Sequence, residues 1–333
     1  MVTFESAPAT AAEYELAEGP IWDARSATLW WVDIPAGAVI HGRIVAHRRD
    51  GQIEELGRTV FGETVGAVGL AADGGLIVAA QRGLATIDLA GRIHHGPPLL
   101  AEDADSRMND GACDPAGRYL VGSLALGTRA NGTQTQSAQT VGAQETGSRL
   151  SEARPDRELL LRADPSGAVV VLREDIALSN GIAWSPDGRT IYHVDTSPGH
   201  IWAADYDASS GAASDWHVLF TVTDGSPDGM VVDAGGALWV AIWGGGQVRR
   251  YDTAGTVLAV VTVDAPHVSC PAFAGPDRST LVISTAKSGL TDGLLKQHPL
   301  SGALFIAHPG VSGLPENLWA GSTAAPQWGV RLP

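Results

Sequence analysis

Short apolar runs separated by polar turns organise this chain, with no long stretch of apolar residues at i, i+3, i+4 and i+7. One unit recurs: an apolar strand, a turn carrying Asp and often Gly, then a second apolar strand. Ile21-Trp22-Asp23 leads to Leu29-Trp30-Trp31-Val32, and Leu70-Ala71-Ala72-Asp73 leads to Leu76-Ile77-Val78. Further copies turn at Asp114, Asp187, Asp233 and Asp277, which makes six. The gaps between the turn aspartates are 50, 41, 73, 46 and 44 residues. The long gap holds 127–157, a stretch dominated by Gly, Thr, Gln, Ser and Ala. Without about 30 of its residues that gap returns to the ~40–45 of a four-stranded propeller blade.

A second series of hairpins lies between these: Ile44 to Ile53, Ala85 to Ile93, Leu160 to Leu172, Ile201 to Leu219 and Val248 to Val261. A sixth copy near Leu304 to Val311 is degenerate. Two hairpins per period predict an all-β, six-bladed β-propeller with four-stranded blades. The expectation is one domain over residues 1–333, with a low-complexity surface insertion at about 127–157. A sheet of this size must close or leave open edges, and Val2 to Leu16 is the segment expected to lend a strand to the last blade. Trp22, Trp184 and Trp239 are expected to pack between blades.

Composition narrows the function classes. The 333 residues carry a formal net charge of −15, which disfavours nucleic acid and anionic membrane and favours cations. Two cysteines far apart, Cys113 and Cys270, make a disulfide framework improbable and imply a reducing compartment. Met1 to Tyr14 lacks basic residues and an apolar core, so a cytoplasmic location is expected. The histidines are scattered without zinc-ligand spacing. Ser284-Thr285-Ala286-Lys287 lacks the companion motifs of a serine–lysine hydrolase, and Gly244-Gly245-Gly246 lacks the Lys of a phosphate loop.

The candidate chemistry appears when the repeats are aligned on their first strand. In a propeller this strand lines the central channel, and the residue before it sits at the mouth. Counting five back from the turn aspartate, or seven where the turn is two residues longer, gives Glu18, Val68, Asn109, Asn180, Asp228 and Cys270. Four of the six are carboxylates or carboxamides, each beside or near a glycine. Facing carboxylates repel unless a proton or cation intervenes, so one divalent ion is predicted among Glu18, Asn109, Asn180 and Asp228. All-oxygen donors suit Ca²⁺, Mg²⁺ or Mn²⁺. Arg107 lies two residues from Asn109, on the same side of an extended segment.

Four segments at these positions, Glu18-Gly19-Pro20-Ile21-Trp22, Arg107-Met108-Asn109-Asp110-Gly111, Leu178-Ser179-Asn180-Gly181-Ile182 and Pro227-Asp228-Gly229-Met230, stand in the order of the motifs of the regucalcin/gluconolactonase (senescence marker protein-like) family. The chain resembles that family over nearly its whole length. The resemblance implies a propeller that opens sugar lactones or related esters. It implies Glu18, Asn180 and Asp228 as ligands of one divalent metal, with Ca²⁺ placed first and Zn²⁺, Mn²⁺, Mg²⁺ or Fe²⁺ as the others. It implies Asp228 as the acid/base residue, and Arg107 and Asn109 as substrate contacts. A further substrate-contacting glutamate of the animal members aligns near Gly127 and is absent here; Glu145 is a possible substitute. The expected partner is a small sugar lactone, with no nucleic acid and no membrane, for a monomer or weak homo-oligomer. The competing readings are a propeller phosphotriesterase or arylesterase, and a propeller that binds a divalent metal without catalysis.

Overall fold

The computed structural model describes residues 1–45, 52–101, 105–126 and 158–328. The predicted insertion at 127–157, with Gly127, Glu145 and the Asn131-Gly132-Thr133 sequon, lies outside the described residues, as does the Asp50-Gly51 turn.

Two short strands, β1 (Val2–Glu5) and β2 (Ala7–Pro8), open the chain. Blade 1 follows as β3 (Ala17–Asp23), β4 (Thr28–Asp33), β5 (Ala38–Val45) and β6 (Gln52–Val60). Blade 2 is β7 (Val65–Leu70), β8 (Leu76–Ala80), β9 (Gly83–Ile87) and β10 (Ile93–Pro98). Blade 3 is β11 (Ser106–Cys113), β12 (Tyr119–Ala125), β13 (Glu158–Ala163) and β14 (Val169–Ile176). Blade 4 is β15 (Ser179–Trp184), β16 (Thr190–Asp195), β17 (His200–Asp207) and β18 (Ala212–Thr221). Blade 5 is β19 (Ser226–Val232), β20 (Leu238–Trp243), β21 (Gln247–Tyr251) and β22 (Val257–Thr262). Blade 6 supplies β23 (Val268–Ala274), β24 (Thr280–Thr285) and, after helix α1 (Asp292–Gln297), β25 (Phe305–Ala307).

The ring closes with the N-terminal segment, as expected, but across two blades. β2 pairs antiparallel with β25 as the fourth strand of blade 6, and β1 adds in parallel to β22 as a fifth strand of blade 5. This is why the last hairpin looks degenerate in the sequence: its outer strand comes from the other end of the chain.

The aspartates that mark the repeat have a common role. Oδ1 of Asp23, Asp73, Asp114, Asp187, Asp233 and Asp277 accepts the backbone N–H two residues on in every copy. The side chain thereby closes a turn that the backbone alone would leave open. Between blades the apolar side chains form six separate clusters, one for each interface of the ring. Trp22 lies in the cluster joining blades 6 and 1, Trp184 in that of blades 3 and 4, and Trp239 against Phe273 between blades 5 and 6.

The chain beyond β25 crosses the face opposite the mouth. It bonds Ala234 through Ser312, Cys113 through Asn317, and Leu70 through Trp319. Among the described residues no helix is long and apolar enough to cross a membrane. Both cysteines are buried and free.

Candidate functional site

All six innermost strands break register at the mouth. The ladders shift between Glu18 and Ile21, Val65 and Ala67, Met108 and Gly111, Ser179 and Ile182, Pro227 and Met230, and Val268 and Pro271. Such a bulge leaves residues unpaired and re-aims their side chains. Asn109, Asn180 and Asp228 are each the first residue inside a bulge. Glu18 stands one position before its bulge, Cys270 is second in its own, and Val68 lies two residues beyond Gly66, the bulge residue of blade 2, so counting from the turn aspartates missed the bulge register at these three. Gly19 takes φ +51°, which lets the chain turn directly after Glu18. At Gly229 a Cβ would lie 2.5 Å from Cys270 Sγ and 2.7 Å from the Ser269 carbonyl oxygen, so the neighbouring inner strand leaves no room for a side chain.

Arg107, Glu18, Asn109, Asn180 and Asp228 are all buried. Hydrogen bonds set the amide orientations. Thr196 donates its one hydroxyl proton to the Pro227 carbonyl oxygen at 2.8 Å, so it must accept from Asn180 Nδ2 at 2.9 Å. That turns Asn180 Oδ1 towards Asn109. Arg107 Nη1 donates to Asn109 Oδ1 at 2.7 Å. The Asn109 Nδ2 protons then go to the Ser179 carbonyl oxygen at 2.8 Å and to Asn180 Oδ1 at 3.0 Å. Each carboxamide oxygen accepts one hydrogen bond and keeps a second lone pair; Asn109 Oδ1 spends its bond on a guanidinium, whose charge opposes a cation there, and Asn180 Oδ1 on a neutral amide.

The electrostatics also bring in Asp110, which sequence reasoning missed. Strict alternation would point it away from Asn109, but the bulge carries both. Burial, then the charges of Asp228 and Asp110, push Glu18 well above the usual carboxylate range. Burial, then Asp110, push Asp228 up in the same way, against the pull of Arg107. Burial raises Asp110 to about 6, against a backbone hydrogen bond from Gly111. Asp110 is half-buried and lines the channel cavity, with its carboxyl surrounded by protein. Burial lowers Arg107 to about 10, while Glu18 and Asp228 hold it up. Glu18 and Asp228 thus share one guanidinium, while Asp110 adds its charge to both carboxyls without its help.

This donor set fits a hard divalent cation: two crowded carboxylates and an oriented carboxamide oxygen. Among the described residues no group of three His, Cys, Asp or Glu side chains is placed to hold a metal ion, so a cation here would rest on the two carboxylates and a carboxamide. A cavity of about 440 Å³ fills the channel beyond the site, from Asp110 and Cys270 to the strap residues Leu314–Asn317. Glu18, Asn180, Asp228 and Arg107 do not line it, although Gly19, Asp110 and Cys270 beside them do.

Residues 16–287 match the family described as the SMP-30/gluconolactonase/LRE-like region. The chain belongs to this family. Among SMP-30/gluconolactonase relatives, the 6-deoxy-6-sulfogluconolactonase of Pseudomonas putida is 32% identical, over 92% of this chain and 95% of its own length. The pentonolactonase of Haloferax volcanii is 30% identical, over 90% and 93%. The crystal structure of the calcium-binding protein regucalcin from Agrobacterium tumefaciens superposes with a TM-score of 0.78, at 28% identity, covering 96% of this chain and 99% of that one. The six-bladed architecture and the family resemblance predicted from the sequence are both borne out.

Proposed function

We propose that this protein is a cation-assisted hydrolase that opens a sugar lactone to the corresponding aldonic acid. The carrying observation is the buried Glu18–Asp228 carboxylate pair beside the oriented Asn180 oxygen and the Arg107–Asn109 hydrogen bond, in a chain whose relatives include named lactonases. Glu18, Asn180 and Asp228 would hold the cation, with Ca²⁺ supported by the calcium-binding relative. When bound, the cation supplies Lewis acidity, which polarises a carbonyl and acidifies water.

The remaining work falls to side chains. Arg107 directs guanidinium protons at the mouth and orients the lactone oxygens. Asn109, locked by Arg107 and Ser179, fixes where that guanidinium sits. Asp228 takes a proton from the attacking water as the C–O bond forms. It returns the proton to the ring oxygen as the acyl–oxygen bond breaks, so the carboxylate is regenerated. The free thiols and the net charge of −15 support a cytoplasmic enzyme acting on a small molecule.

The test is a pH-stat screen of aldonolactones on chelated protein with Ca²⁺, Mg²⁺, Mn²⁺ or Zn²⁺ added back. Acid release that depends on added cation is expected. Absence of turnover with every cation would remove the enzymatic reading.

A further inference from the structure

Trp243 and His267 form an aromatic pair on the mouth side of blades 5 and 6. Trp243 ends β20 opposite Ser226, two residues before Asp228. His267 immediately precedes β23 and bridges to Trp243 through the backbone. The rings stack with centroids 4.1 Å apart and planes at 17°, and both residues are half-buried. His267 Nδ1 lies 2.8 Å from the Ser288 carbonyl oxygen, which can only accept. Nδ1 therefore carries the proton and Nε2 the lone pair. Burial lowers the ring's pKa and keeps it neutral. Ser288 is anchored in turn, its N–H and hydroxyl both donating to Glu15 of blade 1.

Among the described residues nothing hydrogen-bonds Nε2. Packing on Trp243 would need only a flat ring. This imidazole instead has its plane, tautomer and backbone fixed, and its one remaining acceptor is unspent. Blade 6 is three places round the ring from blade 3, and His267 stands just before the Val268–Pro271 bulge as Arg107 stands just before the Met108–Gly111 bulge, so the two hold the same register on opposite blades. A sugar hydroxyl needs both a donor and an acceptor. Arg107 offers only donors, and His267 Nε2 offers only an acceptor.

The geometry points to His267 as a specificity residue whose Nε2 accepts a hydrogen bond from a ring hydroxyl of a polyhydroxylated lactone, on the side opposite Arg107. This rests on the lactone reading above. The experiment compares D-glucono-1,5-lactone with δ-valerolactone, the same ring without hydroxyls, in the unsubstituted protein, His267→Phe and His267→Gln. Turnover by the unsubstituted protein tests the lactone reading itself; the ratio between the two substrates in the variants tests His267.

His267→Phe keeps a ring on Trp243. It is expected to lower kcat/KM about 10-fold for the hydroxylated lactone, chiefly through KM, and to leave δ-valerolactone within about 2-fold. His267→Gln, whose amide oxygen reaches where Nε2 stood, is expected to recover most of the loss. Equal losses on both lactones, no loss on the hydroxylated one, or a lowered melting temperature accounting for the loss would overturn the assignment and leave His267 a packing residue.

Discussion

At Asp228, burial and neighbouring charge act in the same direction, and so they do at Glu18. Both carboxyls bind protons more tightly in the folded chain than in the unfolded one, and Asp110 is raised to about 6. Stability from these groups is fully present below the ordinary carboxylate values near ~4 and is lost as pH rises through the raised folded values. In the proposed function a bound divalent cation would take the place of the protons. Chelated protein should therefore melt at a lower temperature at about pH 8 than at about pH 5, and Ca²⁺ should raise the midpoint more at the higher pH. Differential scanning fluorimetry at the two pH values checks this; an equal cation shift at both would contradict it. Asp228→Asn removes one of the crowded charges. It should stabilise the chelated protein while lowering kcat by ~10²–10⁴ at saturating cation. Unchanged turnover with retained cation binding would leave Asp228 a ligand and remove its proton-transfer role.

The inner strand is the element that makes the site, and its bulge is what turns a repeated hairpin into a cluster of side chains. Gly229 shows how tightly these strands pass. Gly229→Ala would press a methyl group against Cys270 and the Ser269 carbonyl, at an expected cost of ~1–3 kcal/mol in urea unfolding, with weaker cation binding because Asp228 is adjacent. An alanine variant as stable as the parent would mean that the channel strands can separate. The hairpins themselves were legible because every copy carries a turn aspartate whose carboxylate has a backbone bond to make. Asn109, Asn180 and Asp228 were legible as one register for the same reason. What could not be read was local irregularity. A bulge changes no residue type, so the count set Glu18 and Cys270 one place off and Val68 two, and alternation hid Asp110. The strap from Ser312 to Thr323 was also hidden, because it is held by backbone bonds and by Thr323 on Asp73 rather than by any periodic apolar face.

For the whole molecule, the decisive feature is that stability is distributed around a closed circle. Each blade buries its faces only against its two neighbours, so a gap anywhere costs a full interface. The circle is shut at blades 5 and 6 by eight N-terminal residues: β1 covers the edge of β22, and β2 covers the edge of β25. Asp228 stands on blade 5, and the strand beside it, with Cys270, belongs to blade 6, so the closing point adjoins the site. Deleting residues 1–8 would bare two strand edges at once, each a template for pairing with another chain. Each lost backbone bond contributes about 1 kcal/mol net, so the truncated protein should melt roughly 5 °C or more below the parent. It should also scatter light on warming and bind Ca²⁺ more weakly, because blade 5 is no longer pinned to blade 6. Calorimetry, light scattering and a calcium titration on the same samples check the three effects. If the truncated chain kept its melting temperature, closure would reside in the apolar cluster joining blades 6 and 1, with Trp22 and Trp31 at its centre, rather than in the N-terminal strands.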